Sequence, residues 1–156
     1  MPTKQATKTR DEENVFSEEE RAAVAATARE RKAAAGRTPA EERADGLADL
    51  QESLAKMPAD DRAMAERIHE IVSHAVPALV AKTYYGMPAY ATEGKNGKVI
   101  CFFKPKSKFR VRYSTFGFQP DARLDDGDMW ATEFAVITLT PAVEVRIAEL
   151  AKKGAG

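Results

Sequence analysis

The sequence predicts an α+β fold: an antiparallel sheet with helices mainly on one face, preceded by a helical extension. Three observations carry that prediction. Helix-start signals recur through the first half, at Ser17, Thr38 and Asp60-Asp61. After Lys82 the apolar residues change from helical spacing to runs and alternation. Near the C-terminus, Thr140-Pro141 opens one more amphipathic helix.

The elements follow in order. Met1 to Asn14 is polar and charged and reads as a flexible tail, so residues 1–16 stand apart from the folded chain. Ser17 followed by Glu18, Glu19 and Glu20 makes a capping box, with the acids at the positive end of the helix dipole. The helix it opens runs to about Ala35, where Gly36 ends it. It is alanine-rich, and Val24 is its only large aliphatic residue, so it has little apolar surface to bury. Thr38-Pro39-Ala40-Glu41 repeats the start signal, and Leu47, Leu50 and Leu54 form a packing stripe behind it; Gly46 weakens this helix. A helical extension over 17–46 is expected to precede the main domain, 47–153. Asp60 or Asp61 caps a stronger helix carrying Met64, Ile68, Ile71, Val72 and Ala75 on one face, and Pro77 interrupts it.

Thr83 to Tyr90 is β-prone but contains Gly86 and Pro88, which predicts one bent or edge strand. Asn96-Gly97 is a hairpin signal between Tyr90–Glu93 and Lys98–Lys104. Val99-Ile100-Cys101-Phe102-Phe103 is apolar on both faces, the mark of a covered central strand. Lys108 to Ser114 alternates, with Phe109, Val111 and Tyr113 facing one way and Lys108, Arg110 and Arg112 the other, which predicts a strand. Trp130 to Leu139 supplies the last strand. The final helix buries Val143, Ile147 and Leu150, carries Lys152 and Lys153 at its negative end and stops at Gly154.

The order of these elements, together with the segment Tyr85-Gly86-Met87-Pro88-Ala89-Tyr90, resembles the YdhG-like family over roughly Leu47 to Lys153. The resemblance implies an α+β fold with an antiparallel sheet. It brings no catalytic motif. One relative is described as a frataxin-like iron chaperone, so the resemblance implies iron as a cofactor or cargo. Iron handling of that kind would use exposed carboxylates; Glu18, Glu19 and Glu20, with Asp11, Glu12 and Glu13 before them, are the densest such run.

Composition narrows the function classes. The chain of 156 residues has 24 basic and 24 acidic residues, so no net field steers it to nucleic acid or to a membrane. It has no apolar signal core and no stretch of membrane-spanning length, and a cytoplasmic location is expected. Cys101 alone excludes an internal disulfide; within an apolar run it reads as a buried hydrophobe rather than a nucleophile. No serine-hydrolase elbow, phosphate loop or dinucleotide fingerprint is present, and no constellation names a reaction.

Four groups remain as candidates. Tyr85, Met87 and Tyr90, at a bend made by Gly86 and Pro88, could line a ligand pocket whose far wall is Tyr113, Phe116 or Trp130. Lys104, Lys106, Lys108, Arg110 and Arg112 recur at every second residue and would align on one strand face as an anion site, or equally as a solvent face protected by edge lysines. Glu66, His69, Glu70, Ser73 and His74 share one helix arc, which reads as a solvated polar face in the absence of a second Glu-x-x-His. Asp125-Asp126-Gly127-Asp128 reads as an Asp-Gly turn, since it lacks the ligand spacing of a calcium loop. The expected function is a small non-enzymatic protein binding a metal or small ligand. The alternatives are an interaction module that self-associates or docks a protein partner through its N-terminal helix, and an anion or nucleic-acid binder using Lys108, Arg110 and Arg112.

Overall fold

A computed structural model describes residues 17–34 and 37–156. The tail, the acidic residues Asp11, Glu12 and Glu13, and the Gly36 stop lie outside the described residues. Among the described residues five helices and five strands follow one another: α1 Glu18–Ala34, α2 Pro39–Ala55, α3 Ala59–Ala75, β1 Val80–Tyr84, β2 Met87–Ala91, β3 Val99–Lys104, α4 Lys106–Phe109, β4 Ser114–Phe118, β5 Glu133–Val136 and α5 Pro141–Ala155. The strands form one sheet in the order β1-β2-β3-β4-β5, every neighbouring pair antiparallel. This is the α+β architecture expected.

The helix caps form as the sequence dictates. Thr38 and Glu41 make a reciprocal capping box at the start of α2, and the Thr140 hydroxyl accepts the Val143 N–H at 3.3 Å. At α3 the cap differs from expectation. Pro58 holds that position with no side-chain hydrogen bond, and the buried Asp61 carboxylate instead accepts the Ser107 N–H at 3.1 Å. Gly46 does not shorten α2. The helix passes so close to β1 there that a Cβ would collide with the Ala81 carbonyl oxygen, and only glycine permits that approach.

Helices α2, α3 and α5 cover one face of the sheet. Leu50, Leu54, Ile68, Val72, Ile147 and Ala151 meet Tyr90, Phe103, Phe116 and Phe118 in the main core. Full burial of each large apolar side chain contributes about 1.5–3 kcal/mol. A bulge shapes the central strand: Tyr90 pairs with Cys101 and Ala91 with Val99, leaving Ile100 unmatched. Ile100 and Cys101 therefore both join the helix-side core, while Val99 and Phe102 belong to the smaller cluster on the other face. There Phe102 lies over Gly117, at a spot where a Cβ would strike its ring.

Three strand expectations are corrected. The segment from Thr83 to Tyr90 is two strands, because Tyr85 and Gly86 both have positive φ, 51° and 75°, and fold it into a two-residue hairpin. Pro88 accordingly sits in an interior strand and not at an edge; it pairs with Thr83 of β1, and the β2–β3 ladder begins only at the next residue, Ala89↔Phe102. Lys108 to Ser114 is no strand. It begins as the helical turn α4, reverses at Arg110 with φ 53°, and reaches β4 only at Ser114. Tertiary partners override the alternation: Asp61 accepts the Ser107 N–H and Ser114 Oγ the Lys106 N–H, at 3.1 and 3.0 Å. The last strand shrinks from 130–139 to Glu133–Val136.

Candidate functional site: a cleft at the first hairpin tip

The Tyr85-Gly86 turn is held by three elements far away in sequence. Its Tyr85 N–H donates to Thr27 Oγ1 on α1 at 2.8 Å. The Tyr85 carbonyl accepts from Lys108 Nζ of α4, and the Gly86 carbonyl from Ser53 Oγ of α2, each at 2.8 Å. A left-handed tyrosine is conformationally costly, and these bonds fix it in place. Among the described side chains of α1, Thr27 and Ala23 are buried, and Glu19 adds an ion pair to Arg110.

These anchors surround a cleft of about 840 Å³, within the size range of small-ligand sites. Ala22, Ala26 and Arg29 of α1 form one wall. Asp49, Glu52, Ser53 and Lys56 of α2 form another, and Pro105, Ser107 and Lys108 close the end. Met57, Pro58 and the alanines supply its apolar surface.

Most of the charge in the cleft is satisfied internally. Arg37 pairs with Asp45 and Lys56 with Glu52, each at 3.2 Å. Lys108 holds the turn and Asp61 holds α4. Two groups differ. Among the described residues, neither the half-buried Asp49 carboxylate nor the exposed Arg29 guanidinium makes a hydrogen bond or ion pair. Burial holds the Asp49 carboxyl above its ordinary value. Arg37 opposes that shift, while Asp45 and Glu52 reinforce it.

The expected pocket residues are not brought together. None of Tyr85, Met87, Tyr90, Tyr113 and Trp130 lines this cleft, although Gly86 between them does. Strand parity is the reason. Met87 joins the cluster on the open face, whereas Tyr90, 1 % exposed, points into the main core. Tyr113 and Trp130 are exposed near β5, and Phe116 is buried.

The basic face is likewise dispersed. Lys104 lies over the Phe109 ring at 4.6 Å, Lys108 reaches Tyr85, Arg110 pairs with Glu19 at 2.8 Å, and Arg112 stacks over Tyr113 at 5.3 Å. Of the proposed iron ligands, Glu19 is thus engaged by Arg110, while Glu18 and Glu20 are exposed beside it. Among the described residues no three His, Cys, Asp or Glu side chains are grouped to hold a metal ion. His69 faces inward, its Nδ1 3.1 Å from the Tyr90 hydroxyl, while Glu66, Glu70 and His74 are exposed. Cys101 is buried, and burial pushes its thiol up to about 12, which leaves it inert.

Sequence reasoning missed Arg29, Asp49, Ser53 and Thr27. One signal was available: Asp49, Glu52, Ser53 and Lys56 recur at i, i+3, i+4 and i+7, a polar stripe beside the Leu50 and Leu54 stripe of the same helix. Thr27 carried no such mark, since its role depends on a turn 58 residues away. No helix of the described residues is long and apolar enough to cross a membrane. The chain matches no family model, no curated protein and no solved structure.

Proposed function

We propose that this chain is a non-enzymatic binding protein that takes a small zwitterionic molecule into the cleft beside the Tyr85-Gly86 turn. One observation carries the reading: among the described residues the cleft offers an anion, Asp49, and a cation, Arg29, that form no ion pair, beside charges already paired. An ammonium or other cationic donor would meet Asp49, and a carboxylate or other anion would meet Arg29, through charge-assisted hydrogen bonds. The half-buried setting favours an ionic partner for Asp49, because the bare carboxylate is held against the cost of desolvation. Membership of the YdhG-like family, supported by the Tyr85–Tyr90 segment and the order of the elements, and a cytoplasmic location are part of the same proposal.

The test is thermal stability of the full chain against a panel of amino acids and related zwitterions, with plain amines, plain carboxylates and anaerobic ferrous iron as comparison arms. A ligand that binds only the folded state raises Tm by mass action. The expected result is a zwitterion shift that exceeds either half-ligand and weakens about tenfold in affinity in both Asp49→Asn and Arg29→Gln. A shift with iron alone, lost when Glu18, Glu19 and Glu20 become glutamine, would replace this reading with metal handling. A panel without any shift, or a shift indifferent to both cleft variants, would end it.

A further inference from the structure

We propose that β5 pairs edge to edge with β5 of a second copy of this chain, giving a two-fold dimer with one continuous antiparallel sheet. The two edges of the sheet are treated differently. At one, α2 packs tightly on β1. At the other, among the described residues nothing pairs with the outer side of β5.

The bonds from β5 to β4 fix which backbone groups that open edge presents. The Phe118 N–H donates to the Thr132 carbonyl at 2.9 Å, in register with Phe116↔Phe134 and Ser114↔Val136. Bonded and non-bonded pairs alternate in an antiparallel ladder, so Thr132, Phe134 and Val136 turn their backbone groups toward β4. Glu133 and Ala135 therefore turn their N–H and carbonyl groups outward. In the two-fold register that uses only β5, Glu133 of each copy exchanges bonds with Ala135 of the other. Phe134 then stands opposite its own counterpart, a favourable aromatic cross-strand pair. The edge carries no lysine, proline or bulge; its short length and the exposed Glu133 are its protective devices.

The flanks identify the occupant as a second copy. Exposed apolar side chains gather at both ends of β5: Met129, 89 % exposed, and Trp130 before it; Ile137, 66 % exposed, and Tyr113 at the other end. Charge divides the same way. The exposed turn of Asp125, Asp126 and Asp128 precedes the strand, whereas Arg112 stacks on Tyr113 at the far end. Among the described residues none of these four makes an ion pair. A two-fold axis reverses one edge against the other, so each apolar end meets an apolar end and each acidic turn meets the basic end of its partner. An unrelated extended peptide would gain the backbone bonds but neither match.

The experiment is the mass of the full-length chain in solution by sedimentation equilibrium over a wide concentration range. The expected result is a concentration-dependent rise from 17.1 kDa to twice that mass, weakened by salt. Ala135→Pro removes only an outward N–H and is compatible with an edge strand, so it should keep the circular dichroism spectrum and raise the dimer Kd by more than about tenfold. Should that variant misfold, Arg112→Glu and Asp128→Lys provide the second arm: each alone should weaken the dimer, and an equimolar mixture should recover it as a heterodimer. A single-chain mass at every concentration overturns the proposal. So does a dimer that survives folded Ala135→Pro, or one lost only when residues before Thr38 are removed, which would assign association to α1.

Discussion

The Tyr90 phenol and His69 imidazole lie 3.1 Å apart, their rings stacked with centroids at 5.9 Å. Tyr90 is buried in the main core, and burial raises its phenol far above the ordinary value, so its hydroxyl stays protonated and donates. Nδ1 accepts in the neutral Nε2–H tautomer; a protonated ring would turn a second donor toward that hydroxyl. Burial lowers the His69 pKa from the model-compound value of 6.5, with Glu70 opposing it only in part. Between the folded and unfolded pKa values the unfolded chain then binds more protons, so stability rises with pH across that window. The contribution is complete above about 6.5 and is lost as pH falls through the lower, folded value. Urea midpoints measured from neutral pH downward should show this decline, and His69→Gln should flatten it. Tyr90→Phe should cost about 1 kcal/mol at neutral pH. An equally steep decline in the glutamine variant would place the titration elsewhere.

At the scale of elements, Gly46 reverses the usual sign of a substitution. Glycine to alanine inside an exposed helix normally stabilises by about 1 kcal/mol. Here the added methyl meets the Ala81 carbonyl across the α2–β1 contact, so Gly46→Ala should destabilise by about 1–3 kcal/mol through overpacking. Denaturant titration decides between the two signs. From sequence alone the same glycine read only as a weak point in a helix, and the difference shows where legibility ends. Features written in neighbouring residues were readable: the Thr38 and Thr140 caps and the covered strand Val99–Phe103 formed, and the chain reverses near Asn96-Gly97, although the turn closes one residue earlier, from Gly94 to Gly97. Features set by distant partners were not. The alternation of Lys108–Ser114 lost to hydrogen bonds from Asp61 and Ser114, and the Tyr85–Tyr90 segment was divided between two faces by a turn with a tyrosine at positive φ. The cleft accordingly lies beside that turn but is lined by side chains other than Tyr85, Met87 and Tyr90.

Across the whole molecule, that turn is where three remote segments converge: α1, α2 and α4 attach to it over sequence separations of 58, 33 and 23 residues. A two-residue hairpin closes locally, on a scale of about 1–10 µs, whereas the attachments must first close long loops. The consequence is an order of events during folding. The reversal at Tyr85-Gly86 forms early as a docking post, and α1, whose buried side chains among those described are the small Ala23 and Thr27, arrives last. Gly86→Ala, which strains a backbone at φ 75°, should therefore slow refolding. Thr27→Val, which deprives the Tyr85 N–H of its acceptor, should chiefly speed unfolding. Stopped-flow chevrons of the two variants separate these effects, and a refolding rate cut as sharply by the valine as by the alanine would reverse the order. A helix that joins last is also the first to leave, so the wall of the cleft carrying Arg29 would open and close without the core unfolding.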